Sequence, residues 1–454
     1  MLKHRIMRVR VLCLAVSAVA SVGTSEAQEQ IQVSQLPAYA QGPTWTGFYL
    51  GVGFGGGLMI DRVSSSDVGN LSIDAVSGQG ALASIYGGVD YQVLPRAVVG
   101  VLAEGTYSNI ASSASAQVPG AAASISQQAN WGWSALVRAG VLPAPSTLLY
   151  ALGGYAGQNL HTTGTAVAGA TLATFARDDV FHGWTIGGGI ETRLRGGWST
   201  KLEYRYSQFG ARTLPGATIS ASPSLHAARL GLTYKFGGLA DSPPDDAPAP
   251  EAAVNWTGIY VGAAAGASAT TDRLGATFGG ATATMNGGGQ ELLGSAFGGF
   301  DFQIDERAVM GLMGDLAWTG PQSTTTISTG GASATFTSRT NMTLSVMGRL
   351  GFLATPSTLL YAAGGYSGAF ITSSGSATLG AATTSRYRDD YVNGWTVGPG
   401  VETIIFGGWS TRLEYRYAQY EEKSGFGGLS VQPSMHSVRA GLSYKFGTAQ
   451  PQAR

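Results

Sequence analysis

Cysteine is almost absent from this chain: Cys13 is the single one among 454 residues. It lies in an early apolar run, which excludes disulfides, thiolate catalysis and cysteine metal sites from the rest of the sequence. Charge is scarce too, at 12% of residues where a soluble domain carries about 25%. The five histidines form no ligand cluster, so neither a metal nor another cofactor is expected. Apart from one shorter stretch near the N-terminus, no segment offers the roughly 18 to 20 continuous apolar residues of a spanning helix, which argues against a helical membrane protein.

That early stretch follows Lys3, Arg5, Arg8 and Arg10, runs from Val11 to Val22 and meets a small-x-small pattern at Ser25-Glu26-Ala27. It reads as a secretory signal peptide over residues 1–27. Leu14 follows Cys13, which is not the start of a lipid-anchored mature protein. Removing the four basic residues and Glu26 from 27 basic and 27 acidic residues leaves 23 and 26, a net charge of −3. Such a balance speaks against nucleic-acid partners.

Glycine, by contrast, is plentiful, with 68 residues, and the chain repeats itself. Trp45-Thr-Gly-Phe-Tyr recurs as Trp256-Thr-Gly-Ile-Tyr, 211 positions on, and the offset persists through Arg96 and Arg307, Pro145 and Pro356, and Trp184 and Trp395. "RLGLTYKF" at Arg229 to Phe236 returns as "RAGLSYKF" at Arg439 to Phe446. A fixed-period repeat identifies units that each fold as one piece. The expected order is a lead-in at 28–44, a unit at 45–237, a Pro-rich acidic linker at 238–255, a second unit at 256–446 and a tail at 447–454.

Within each unit the apolar pattern has period two. In "WSTKLEYRYSQ", Trp198, Leu202, Tyr204 and Tyr206 share one face while Lys201, Glu203 and Arg205 share the other. The same reading places strands near 46–57, 79–94, 97–112, 125–142, 146–160, 181–195, 198–210 and 224–237. Tight turns at Leu94-Pro95-Arg96, Pro143-Ala144-Pro145 and Arg195-Gly196-Gly197 alternate with longer Ala/Ser/Gly/Thr loops, as in a transmembrane β-barrel. Lipid offers no hydrogen-bond partners, so a spanning sheet must close and abolish its edges.

The outward set carries Trp198, Tyr234 and Phe236 near the short-turn rim, and Trp131, Trp133, Trp184 and Tyr206 near the long-loop rim. These are two aromatic girdles. In the second unit Trp395 and Trp409 recur, while Met342 and Leu344 replace the first tryptophan pair. The inward set is charged: Glu104, Arg138, Glu191, Glu203, Arg205 and Arg229, mirrored with every sign kept by Asp315, Arg349, Glu402, Glu414, Arg416 and Arg439. An eight-strand interior is just wide enough for its own side chains, so a structural ion-pair network is favoured over a conducting path.

The openings "WTGFY" and "WTGIY", the "LEYRY" runs at Leu202 to Tyr206 and Leu413 to Tyr417, and both Tyr-Lys-Phe endings make the chain resemble the small outer-membrane β-barrels known as outer-membrane immunogenic or porin-family proteins. That resemblance implies an all-β, OmpA-like transmembrane fold, here duplicated, in the cell outer membrane. It also implies that Arg229, Gly231, Tyr234 and Phe236, and again Arg439, Gly441, Tyr444 and Phe446, form the signal read by the barrel-assembly machinery. Members of this family usually hold one barrel and end at the Phe; this chain holds two copies and continues eight residues past Phe446. Two tandem eight-stranded antiparallel barrels are favoured over one sixteen-stranded pore, because both closing strands are intact and the linker exceeds a tight turn.

Candidate chemistry is thin. His226 beside Ser224, His436 among Ser434 and Ser437, and the pairs Asp178-Asp179 and Asp389-Asp390 are the residues from which hydrolysis would be built. Yet His182 becomes Asn393 and His161 becomes Thr372, so no second base recurs in register. The glycine runs "GVGFGGG" and "IGGGIE" lie inside expected strands with no helix after them, against a phosphate cradle and for relief of crowding. The stretches at 113–126 and 323–338 are expected as external mobile loops. The resulting expectation is a non-enzymatic outer-membrane protein of structural or surface-interaction role, in contact with outer-membrane lipid and with its external ligand unspecified. The alternatives are a passive porin of slight anion bias and, behind it, an outer-membrane hydrolase using His226 or His436.

Overall fold

A computed structural model describes residues 44–65, 71–194, 196–213, 219–236, 254–278, 280–320, 322–329, 332–424 and 429–446. The expected signal peptide, the lead-in through residue 43, Arg195, the linker through residue 253 and the tail lie outside them.

Every regular element among the described residues is a β-strand. The first half contains β1 (Gly47–Ser65), β2 (Leu71–Leu94), β3 (Ala97–Val118), β4 (Ala121–Ala144), β5 (Thr147–Ala168), β6 (Thr171–Arg193), β7 (Trp198–Phe209), the short β8 (Arg212–Thr213) and β9 (Ile219–Lys235). The second contains β10 (Gly258–Phe278), β11 (Ala281–Gln303), β12 (Ala308–Thr319), β13 (Gln322–Thr329), β14 (Ala332–Thr355), β15 (Thr358–Leu379), β16 (Ala382–Phe406), β17 (Trp409–Tyr420), the short β18 (Lys423–Ser424) and β19 (Leu429–Lys445). Most neighbours in sequence pair antiparallel, with β7 pairing β9, β12 pairing β14 and β17 pairing β19 past the short strands between them; β11 also meets β2 and β3 of the first half, and the sheet is closed. Val52 on β1 stands opposite both Ile85 on β2 and Leu232 on β9. In the second half Val261 on β10 stands opposite Gly298 on β11 and Tyr444 on β19.

The alternation that makes these strands also sorts their faces. On β1, Phe48 and Phe54 are 68% and 65% exposed while Tyr49 between them is 2% exposed. An apolar outer skin over a buried, partly charged interior inverts a water-soluble sandwich and matches a sheet solvated by acyl chains. Among the described residues no helix is long and apolar enough to cross a membrane.

The stretches expected as loops are strands. Val118 pairs with Ala121 across a Pro119-Gly120 turn in which Gly120 takes φ +84°, so residues 113–126 are one hairpin. Residues 323–338 pair likewise, with Thr324 opposite Thr337 and Thr326 opposite Thr335. Low complexity removes the apolar face that period-two reading relies on, but not the backbone ladder. Hydroxyl pairs then join the rungs, as between Ser124 and Thr165 at 2.7 Å and Thr326 and Thr335 at 3.1 Å. A tilted strand crosses a bilayer in about 9 to 11 residues. β4 has 24, so these hairpins project well beyond it.

Candidate functional site

The opening and closing motifs of each half meet at the short-turn end. Trp45 is fully buried, with its indole N–H donating to the Pro145 carbonyl at 3.1 Å and its backbone N–H to Gln92 Oε1 at 2.9 Å. Thr46 Oγ1 in turn accepts from the Gln92 backbone N–H at 3.0 Å. Gly47 has φ +146°, and a Cβ there would stand 2.7 Å from the Phe236 carbonyl oxygen, so the motif needs glycine. From the far end of the chain Lys235 reaches inward, its Nζ donating to the Trp45 carbonyl at 2.7 Å and to Asp90 at 2.6 Å. Trp256, Thr257, Gly258, Gln303, Asp301 and Lys445 repeat the arrangement. The Trp-Thr-Gly opening is thus a plug, and the lysine of Tyr-Lys-Phe is its latch.

Above the plug the inward charges form ion pairs. Arg138 on β4 holds Asp90 through Nε at 2.8 Å and also through Nη2, and holds Glu191 through Nη1 at 2.8 Å. Its guanidinium lies between the Tyr49 and Tyr150 rings, 4.7 and 5.2 Å from their centroids. A second cluster joins Arg205 to Glu104 at 2.9 Å and to Glu203 at 2.6 Å, with Lys201 and Arg229 completing it at 3.3 Å each. In the second half Arg349 holds Asp301 and Glu402 at 2.6 and 2.8 Å, while Arg416 joins Asp315 and Glu414, and Arg439 also pairs with Asp315.

All twelve inward charges named from the sequence are buried. Asp90 and Asp301, which sequence reasoning missed, are their central acceptors and are fully buried. The available signal was parity, since Asp90 stands four residues from the inward Tyr86 on one strand. With these two aspartates and also Asp61 and Asp272 included, and with Arg193, Lys201, Lys235, Arg412 and Lys445 among the bases, the buried charges among the described residues are five acids against six bases in the first half and five against five in the second, so the anion bias expected for a porin shrinks. Glycine makes room for this network: a Cβ at Gly100 would lie 2.2 Å from Asp90 Oδ1, and at Gly311 2.3 Å from Asp301 Oδ1.

Towards the long-loop end the first half closes over an apolar cluster that includes Met59, Ile110, Leu160, Phe181, Phe209 and Leu225. The second half has a smaller cluster of Ala369, Ile371, Val392, Ala418, Tyr420 and Met435. Plug, ion pairs and apolar cluster therefore fill each interior at three successive levels.

Outside, the aromatic girdles stand in contact pairs. At the short-turn rim Trp198 meets Tyr234 at 5.1 Å between centroids, and Tyr234 meets Phe236 at 5.0 Å. At the other rim Trp184 meets Tyr206 at 5.5 Å, as Trp395 meets Tyr417 in the second half. In the closing-strand motif Arg229 points inward and Gly231 faces the Tyr86 hydroxyl, which a Cβ would approach to 2.6 Å.

The hydrolytic candidates do not assemble. His226 and His436 are each hydrogen-bonded by a tyrosine hydroxyl, from Tyr204 at 2.6 Å and Tyr415 at 2.7 Å. Ser224 instead donates to the Ile60 carbonyl and Ser434 to the Thr271 carbonyl, so neither serine is poised against its histidine. His161 pairs with Asp178 at 3.1 Å on a projecting hairpin, Asp179 accepts from Arg177, and Asp389 and Asp390 accept from Thr372 and Arg388. Among the described residues no group of three or more His, Cys, Asp or Glu is arranged to hold a metal ion. Between the projecting hairpins lies a cavity of about 1070 Å³ whose walls include Ile125, Phe175, Leu274, Met285 and Phe336.

The outer membrane protein β-barrel domain model matches this chain twice, at residues 15–236 and 247–446. The 31 kDa outer-membrane immunogenic protein of Brucella melitensis is 26% identical over 48% of this chain and 97% of its own length. The 22 kDa outer membrane protein of Rhizobium leguminosarum bv. viciae is 30% identical over 42% of this chain and 79% of its own. Among solved structures, Neisserial surface protein A is 14% identical over 42% of this chain and 98% of its own, with a TM-score of 0.21.

Proposed function

Because this chain belongs to the outer membrane protein β-barrel domain family, we propose that it folds as two tandem eight-stranded transmembrane barrels, each sealed by its own side chains. In this reading it serves the outer membrane in a structural or surface-interaction role, not as a diffusion pore or an enzyme. The carrying observation is closure within each half: Tyr49 on β1 stands opposite Lys235 on β9, and Tyr260 on β10 opposite Lys445 on β19. A sixteen-strand pore would need those first and last strands to pair across the halves instead.

The bilayer contacts the exposed aromatic and aliphatic skin, and the buried charges serve as a structural network bracing each interior. The units run from 45 to 237 and from 256 to 446, joined by the linker at 238–255. Arg229, Gly231, Tyr234 and Phe236, with their counterparts Arg439, Gly441, Tyr444 and Phe446, act as the two signals for the assembly machinery. Surface interaction falls to the projecting hairpins and the cavity between them.

Purified protein in planar bilayers tests this reading. Filled interiors lead us to expect no open-channel current, whereas a sixteen-stranded barrel encloses an aqueous channel. Steady nanosiemens-scale steps would overturn the sealed-barrel proposal. Heat-dependent gel migration checks the class, since a closed sheet resists detergent until boiled.

A further inference from the structure

The lipid-facing skin is not uniformly exposed. On β6, Ile186 is 55% exposed and Ile190, on the same face, only 1%. On β1, Phe54 is 65% exposed while Leu58, four residues on, is fully buried. What covers these residues is the other half of the chain: Ile190 and Leu202 cluster with Val401, Leu413 and Val438, and Leu58 and Ile60 with Ala269. Because barrel strands tilt, a single contact line along the membrane normal crosses several of them in turn. This line begins at Thr147 on β5, passes β6, β7, β9 and β1, and ends on β2 and β3.

A set of contacts along that line is reciprocal, while at its β2–β3 end the Ser77–Thr271 hydrogen bond and the short β3–β11 ladder are not mirrored among the described residues. Thr147 Oγ1 lies 3.1 Å from Thr358 Oγ1, and these two residues occupy mirrored positions. Nε2 of His226 stands 2.5 Å from Oε1 of Gln290, and Nε2 of His436 stands 3.0 Å from Oε1 of Gln79, again mirrored residues. An amide oxygen accepts and does not donate, so each Nε2 carries the proton and each Nδ1 accepts from Tyr204 or Tyr415. Residue i meeting j while the counterpart of i meets the counterpart of j is the signature of a two-fold interface.

We infer that the outward faces of β5, β6, β7, β9, β1 and β2 form a docking surface whose partner is the matching face of the other half, recognised by a twice-repeated Tyr–His–Gln hydrogen-bond chain. The inference rests on the two-barrel reading. A histidine and a glutamine facing acyl chains would lack partners. Here each glutamine amide oxygen and each histidine Nε2 meets its partner across the seam, so the polar residues set the register while Leu, Ile, Val and Ala supply the contact. Since both halves carry the same Gln, His, Tyr and Thr, the surface is self-complementary.

The test uses the full chain in nanodiscs holding one molecule each, with Cys13 as the single native cysteine. T147C/T358C under mild oxidant should form an intramolecular disulfide, seen as a reductant-sensitive gel shift. V52C/L232C, neighbours across the β1–β9 ladder, should also cross-link, because that pair reports closure of one half and not docking. Cross-linking of the ladder pair alone, with T147C and T358C both reactive towards a membrane-permeant maleimide, would overturn the docking surface and leave the barrels standing. Failure of both pairs would remove the two-barrel reading itself. Adding Q79L/Q290L to T147C/T358C should slow cross-linking several-fold; an unchanged rate would overturn the recognition assigned to the polar chain.

Discussion

Glu104 in the first half and Asp315 in the second occupy mirrored positions but are not used alike. Glu104 accepts from both terminal nitrogens of Arg205, at 3.1 and 2.9 Å, one on each oxygen. Asp315, one methylene shorter, receives Arg416 and Arg439 on Oδ1 alone, and its Oδ2 has no hydrogen-bond partner among the described residues. The outer levels diverge in the same sense. Phe181, Phe209, Met59 and Ala227 give way to Val392, Tyr420, Thr270 and Ser437, and the buried Thr270 and Ser437 hydroxyls have no hydrogen-bond partner among the described residues. The halves therefore keep the same inward signs and most of the same ion pairs, Lys201 meeting Glu203 where its counterpart Arg412 meets Glu402, while the second fills its interior less completely. Charge complementarity tolerates no sign change in a low-dielectric space, whereas filling tolerates gradual loss.

The strongest way to break the comparison is to remove its shared centre. Arg138→Ala leaves Asp90 with Lys235 alone and strands Glu191, which should cost on the order of 3 to 5 kcal/mol, whereas Arg349→Ala leaves Asp301 with Lys445 and Glu402 with Arg412 and should cost less. Urea unfolding followed by gel migration should show the larger loss for Arg138→Ala; no change for Arg138→Ala would refute the network. Trp45→Ala and Trp256→Ala empty the plug site and should each cost about 3 kcal/mol or more in the same assay. A much smaller effect in one half would mean that its plug is not a core residue.

Finer changes sharpen the asymmetry. Glu104→Asp should reproduce the one-sided pairing and lower stability by about 1 to 3 kcal/mol, while Asp315→Glu should raise it, by less. Equal effects of the two exchanges would deny that chain length is the difference. Ser437→Ala and Thr270→Met import first-half residues and should stabilise the second half by about 1 kcal/mol each, by removing an unpaired buried hydroxyl. The smallest effect belongs to the short turn after β11, where Asp305 Oδ1 accepts from the Arg307 and Ala308 backbone N–H groups at 2.7 Å each. Those donors hold its carboxyl below the usual aspartate range. A depressed folded value stabilises above the unfolded pKa and is lost as pH falls through the folded one. Asp305→Ala should therefore lower stability slightly at neutral pH, with the deficit vanishing as pH falls through the folded value, so that the acid side of the stability–pH profile is flatter. Leu94 holds that position in the first half, and Leu94→Ala should change nothing in acid.

Much of the strand framework was legible because aromatic and aliphatic residues alternate with charged ones over "LEYRY" and the Tyr-Lys-Phe endings. The projecting hairpins were not, since Ala, Ser, Thr and Gly alternate without a hydrophobic contrast while their backbones still pair. Asp90 was overlooked because it sits in "GGVDYQ", one carboxylate among glycines, with nothing in that segment to mark Arg138 as its partner 48 positions away. The tryptophan plug is invisible locally for a similar reason: its acceptor lies at Pro145 and its latch at Lys235.

By itself the sequence determined duplication, β-periodicity and the side of each strand that meets lipid, because these depend on residues one or two hundred positions apart only through copying and on neighbours through the pleat. Which acid receives which base, how tightly each interior fills, and which part of the skin is covered by the other half were decided by tertiary structure. Those relations join residues on different tilted strands, and their distances exist only once the sheet has closed.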